Sequence, residues 1–206
     1  MPSSYNRLFR DAQEKPLQRA LSGTLQAAES KGAKDLARWV RLELFGYHSE
    51  NSEMVETDVV PEYRSVTGHW SDAYGRPLVL TDPKILFLNE VRLRNAVVEL
   101  ETLTPNHDDV LAISMPEEAQ IINDALRVSV SNFRCSPLSL RTLLASVRGQ
   151  LLDQLIRNEH FLSDVSRTPT GLPDKGDILQ LKPNLYGIGL DLRALCRRWR
   201  TVTRDE

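Results

Sequence analysis

Between Trp39 and Arg64 the chain reads WVRLELFGYHSENSEMVETDVVPEYR, and this segment limits the fold more than any other. Leu36, Val40 and Leu44 recur at helical spacing, with Trp39 and Leu42 widening the stripe, so the segment opens as a helix that must bury one face. Gly46 is expected to end it as a C-cap in the left-handed conformation. From His48 to Glu62 there are five acids (Glu50, Glu53, Glu56, Asp58, Glu62) and no lysine or arginine. That is the pattern of a solvated loop or of a docking surface for a basic partner. Trp39, Glu43 and Tyr47 are four apart, so they should line one helix face and meet the chain where it returns through Tyr63 and Arg64. A half-buried Glu43–Arg64 ion pair pinning the loop to the helix is the structural reading; ligand binding by the group and catalysis by Glu43 are the alternatives.

Around this segment the pattern is mostly helical. Leu17, Ala20, Leu21, Leu25 and Ala28 follow Pro16 at helical spacing, and Lys31-Gly32 reads as the turn into the next helix, which predicts an antiparallel helical pair. Tyr63 to Trp70 reads as a strand, with Leu78–Leu80 its partner across the turn signals of Asp72–Pro77. Asp82-Pro83 offers an N-cap and first-turn proline for a helix through Leu86, Leu93, Val97 and Leu100 to Leu103, although Val91–Arg94 also alternates as a strand does. Val110–Ser114 reads as a buried strand, Pro116-Glu117-Glu118 as the start of a short helix ending near Leu126, and Val128 and Val130 as a further strand. Ser136-Pro137 opens the best helix of the chain, with Leu140, Leu144, Val147, Leu151 and Leu155 on one stripe up to Arg157. Residues 163–183 read as a loop or linker, and 184–206 as a basic helix packed on the same domain, carrying Arg193, Arg197, Arg198 and Arg200. The fold class is therefore α+β, predominantly α-helical: an N-terminal helical pair, a small antiparallel sheet and a long helix in the C-terminal half, with the main domain over 1–162.

A chain of 206 residues, 41% hydrophobic, can bury a core without a metal or disulfide. Its net charge of -2 argues against a general nucleic-acid binder. Cys135 and Cys196 form no CxxC pair and read as reduced thiols. The polar start and the lack of a run of about 18 apolar residues point to a cytoplasmic protein with no membrane contact. His48, His69, His107 and His160 lie outside metal-ligand spacing of one another, and the acidic loop lacks the pattern of a calcium loop, so neither metal nor cofactor is expected. No G-x-S-x-G, P-loop or G-x-G-x-x-G is present, and Gly187-Ile-Gly189 reads as a tight turn. Arginines at the end of the last helix complement its dipole; they could also contact nucleic-acid phosphates or the acidic loop of a second copy.

Four segments, taken together and in order, resemble the AbiTii-type domain, named for a bacterial abortive-infection (anti-phage) protein. They are ARWVRLELFGY (Ala37–Tyr47), PEYRSVTG (Pro61–Gly68), VSVSNF followed by LRTLLASVRGQLLDQLI (Val128–Ile156), and NLYGIGLDLRALCRRW (Asn184–Trp199). Phe45 stands where the family usually has a small polar residue, and the loop from His48 to Val60 is longer than is common there. The resemblance implies a mostly helical cytoplasmic domain of a bacterial conflict system, and it carries over no catalytic set. The expected function is a non-catalytic interaction or sensor module in anti-phage defence. Its binding residues would be Trp39, Glu43, Tyr47, Tyr63 and Arg64, with Arg193, Arg197 and Arg198, and its partner a protein or a second copy. The alternatives are a nucleic-acid-acting toxin or effector, using the C-terminal arginines, and a purely structural oligomerisation domain.

Overall fold

The computed structural model describes residues 4–104 and 110–163. Its order of elements is α1 (Ser4–Glu14), α2 (Leu17–Lys31), α3 (Lys34–Phe45), β1 (Ser65–Ser71), β2 (Glu90–Arg92), α4 (Val97–Leu103), β3 (Leu111–Ser114), α5 (Pro116–Leu126), β4 (Asn132–Cys135), α6 (Pro137–Arg157) and α7 (Glu159–Leu162). Two 3-10 helices, Glu62–Arg64 and Pro83–Asn89, lead into β1 and β2. The class is the expected one: α+β, predominantly helical, with one antiparallel sheet of order β2-β1-β4-β3. The proposed linker beyond Ser163 and the basic helix with Arg193, Arg197 and Arg198 lie outside the described residues.

Helices α2 and α3 pack against each other as the expected pair, joined through Gly32, whose φ of 71° and ψ of 22° form a left-handed cap. Their stripes meet through Leu17, Ala20, Leu21 and Ala28 of α2 and Leu36, Val40 and Leu44 of α3, all buried. Each large aliphatic side chain so buried contributes roughly 1.5–3 kcal/mol. Ahead of the pair lies α1, which the sequence pattern did not suggest because only Leu8 and Ala12 of its 11 residues are buried. Arg148 of α6 ties it down, donating to the Lys15 carbonyl at 2.9 Å and to the Ala12 carbonyl.

The middle of the chain differs most from expectation. Asp82 does act as an N-cap, accepting from the Lys84 amide at 2.9 Å, but the helix it starts is 3-10, stops at Asn89 and gives way to β2. The alternation of Val91 to Arg94 was the true signal, and the helix expected from Pro83 to Leu103 forms only at Val97–Leu103. Leu78–Leu80 form no strand either: a single bridge, Ser71 to Pro77, closes the turn, and β1 instead pairs with β2 (Val66 opposite Val91) and β4 (Trp70 opposite Phe133). The strand expected at Val128 begins at Asn132.

The core lies where the sheet meets α6. Trp70 and Phe133 pack edge to face at 5.4 Å, and the Trp70 indole donates to the Leu88 carbonyl at 2.8 Å. Leu140, Leu143, Val147, Leu151 and Leu155 form the buried stripe of α6, with Leu143 taking the place expected for Leu144. Ser136 caps this helix, its hydroxyl accepting from the Ser139 amide at 3.1 Å.

Helix α2 is capped from a distance. Pro16 offers it no side chain, and the first two amides instead donate to Glu101 of α4, Leu17 at 2.7 Å and Gln18 at 3.0 Å. A carboxylate at that position satisfies orphan donors and faces the positive end of the helix dipole. Glu101→Ala should therefore lower stability by about 1 kcal/mol; a urea denaturation midpoint equal to wild type would show that water replaces the carboxylate at no cost.

Candidate functional site

The five residues singled out at Trp39, Glu43, Tyr47, Tyr63 and Arg64 converge in the folded chain. Glu43 and Arg64 are both fully buried, not half-buried as the sequence suggested, and the Arg64 Nη1 donates to Glu43 Oε2. The other carboxylate oxygen, Oε1, accepts from the Tyr47 hydroxyl at 2.7 Å and from the Tyr63 hydroxyl at 2.7 Å. The Trp39 indole in turn donates to the Tyr63 hydroxyl at 3.0 Å. Arg64 uses its remaining donors on backbone, Nε to the Leu93 carbonyl at 2.8 Å and Nη2 to the Asn95 carbonyl, and its guanidinium lies 5.0 Å from the centre of the Tyr47 ring.

Three stretches distant in sequence supply these groups. Trp39 and Glu43 come from α3, four apart on one face as expected. Tyr47 does not continue that helix, which ends at Phe45. Gly46 takes a φ of 85° and a ψ of 169°, not the left-handed helical conformation expected, and this region of backbone space is essentially closed to other residues. A Cβ on Gly46 would also sit 2.7 Å from the Arg94 carbonyl oxygen. The turn lets the Tyr47 amide donate to that same carbonyl at 2.7 Å and folds the phenol back over Glu43. The segment 93–95, between β2 and α4, thus supplies carbonyls to both Arg64 and Tyr47; nothing in its residue types pointed to this role.

The acidic loop turns its charge toward the protein. Arg38 and Arg41, on α3, pair with Asp58 at 2.5 Å and Glu53 at 2.7 Å, and Arg41 also reaches Glu29 at 2.6 Å. The Val55 amide, with Arg38, holds the Asp58 carboxyl below the ordinary carboxylate range. Glu62 faces Arg92 at 3.4 Å, which leaves Glu50 and Glu56 as the exposed acids of the five without a partner among the described residues. The loop is built from turns and packs Met54 against Leu42, Tyr47 and Val60. Three of the five carboxylates, Glu53, Asp58 and Glu62, are thus paired with arginines of the chain itself.

Among the described residues no group of three His, Cys, Asp or Glu is placed to hold a metal ion, and no helix is long and apolar enough to cross a membrane. Cys135 is buried in β4, which raises its thiol above the ordinary range.

A helical domain built around one buried ion pair, with a small antiparallel sheet, is the class that the geometry defines. The chain belongs to the AbiTii family, whose model matches residues 10–167. The family name marks a role in abortive infection, a form of anti-phage defence. No curated protein and no solved structure matches the chain.

Burial raises the pKa of both Tyr47 and Tyr63 above the usual tyrosine value of about 10, and the neighbouring Glu43 carboxylate raises them further. Both phenols stay protonated in the folded chain at pH values where the unfolded chain would ionise them. Their contribution to stability is intact below about pH 10 and is lost as pH climbs toward the folded values. In an alkaline titration followed by phenolate absorbance, these two of the five tyrosines should ionise only as the fold melts. All five ionising near pH 10 with the circular dichroism unchanged would contradict the network.

Proposed function

We propose that this chain is a non-catalytic interaction module of anti-phage defence, with the segment from Trp39 to Arg64 as its contact surface for a protein partner. One observation carries the reading: the segment is anchored from inside by buried hydrogen bonds, while large apolar side chains stand among those it turns outward. Glu43, its one fully buried acid, has both oxygens engaged by Tyr47, Tyr63 and Arg64. A carboxylate so occupied supports a framework role over proton transfer, which needs a base within reach of substrate. On the outside, Phe45, Val55 and Val59 are 60%, 50% and 60% exposed. Phe45 stands at the position where the sequence departs from the small polar residue usual in the family. Solvent-facing aromatic and branched side chains on a rigid frame suit a protein surface better than they suit a phosphate backbone.

The test is phage plating efficiency on a bacterial host carrying the gene in its native neighbourhood. Deleting the gene should abolish protection. Replacing both Phe45 and Val59 with serine should leave the melting temperature unchanged and reduce protection at least tenfold. Full protection by a double variant expressed at wild-type level would exclude this surface as the contact.

A further inference from the structure

Helix α6 is apolar on two sides. Leu140, Leu143, Val147, Leu151 and Leu155 face the core. On the opposite side, Leu138, Thr142, Ala145, Gly149, Leu152 and Ile156 follow one another at steps of four, three, four, three and four, the spacing of a coiled-coil seam. Leu138 and Ile156 are 70% and 55% exposed, Thr142, Ala145 and Gly149 are exposed, and Leu152 is half-buried. The outer face of a surface helix is ordinarily polar or charged. Here none of the six carries a charge, in a chain of which 26% of residues are charged.

Gly149 adds an independent clue. It lies in mid-helix, where glycine is less favourable than alanine. A Cβ built on it meets nothing within 4 Å, so among the described residues no neighbour calls for a glycine. Close approach of a second backbone would call for one.

We propose that the outer face of α6 is a homodimer interface in which two copies pair their α6 helices antiparallel about a two-fold axis at Val147. The seam matches in side-chain size about that point at its ends and at its middle, while the intervening step sets a smaller side chain against a larger one. Leu138 falls opposite Ile156 of the second copy, Thr142 opposite Leu152, and Ala145 opposite Gly149, so large meets large at the ends and small meets small at the crossing. Residue-for-residue self-complementarity is what an isologous contact requires. The seam runs about 27 Å along the helix. With its flanks it buries a total area on the order of 1,000 Å², the lower limit for a specific interface, so the dimer is a weak one that responds to concentration. Arg148, beside the crossing, is directed away from it by its hydrogen bonds to the end of α1. This assignment does not rest on the contact surface proposed above, which lies on other elements.

Sedimentation of the full chain across a concentration series tests it. The apparent mass should rise from the 23.4 kDa of one chain toward twice that. Leu138→Glu, at an exposed position, should keep the circular dichroism and remain monomeric. Adding Ile156→Lys to that variant should restore dimerisation, because antiparallel pairing sets the new acid opposite the new base. A wild-type mass of one chain at every concentration overturns the proposal. So does a Leu138→Glu variant that dimerises as wild type, or a double variant that stays monomeric.

Discussion

A carboxylate and a guanidinium enclosed in the protein are costly, because each gives up its hydration and only well-placed partners compensate. The Glu43–Arg64 pair meets that condition. Tyr47, Tyr63 and Arg64 engage both Glu43 oxygens, and Arg64 also donates to the carbonyls of Leu93 and Asn95. Removing one partner of such a pair strands the other and costs about 3–5 kcal/mol. The rest of the arrangement follows from this demand. Helix α3 has to end where Gly46 can turn Tyr47 back, Arg64 has to precede β1, and the chain leaving β2 has to pass with its carbonyls toward the guanidinium. The Leu93 amide closes the circuit by donating to the Arg64 carbonyl at 3.0 Å. Two charges thus fix the geometry of helix, sheet and loop together, where an apolar cluster would tolerate sliding.

Much of this was legible in the sequence because it is local. The step of four between Trp39 and Glu43, the glycine after Phe45 and the helical stripes of α2, α3 and α6 are set by helix geometry, and they appear in the structure with small shifts such as Leu143 for Leu144. What escaped depends on distant partners. Pro83–Asn89 carries helix signals, yet its three-residue pitch places Leu88 inside and leaves Leu86 exposed. Helix α1 buries too few residues to show a stripe, and its end is satisfied by Arg148 from the far end of the chain. The sheet joins β1 to β4, more than sixty residues away, so the local hairpin suggested by the Asp72–Pro77 turn yields a single bridge. In the site, the roles of Glu43 and Arg64 were readable, but the complete burial of the pair and the carbonyls that complete it were not.

The same economy of charge shapes the acidic loop. Its run of carboxylates, read alone, suggests a surface awaiting a cation. The arginines of α3 supply that cation from one helical turn apart, Arg38 for Asp58 and Arg41 for Glu53. The loop is then free to turn apolar side chains outward, and both its exposed valines and the outer seam of α6 give a defence protein apolar surface on rigid elements.

The central claim is that Glu43 and Arg64 act as one unit that holds α3, β1 and the segment 93–95 in place. A double-mutant cycle reads this directly, with Glu43→Ala, Arg64→Ala and the double variant compared with wild type by urea denaturation. The account predicts a coupling energy of about 2 kcal/mol or more, with the double variant no less stable than either single one. Losses that simply add, with coupling indistinguishable from zero, would contradict it.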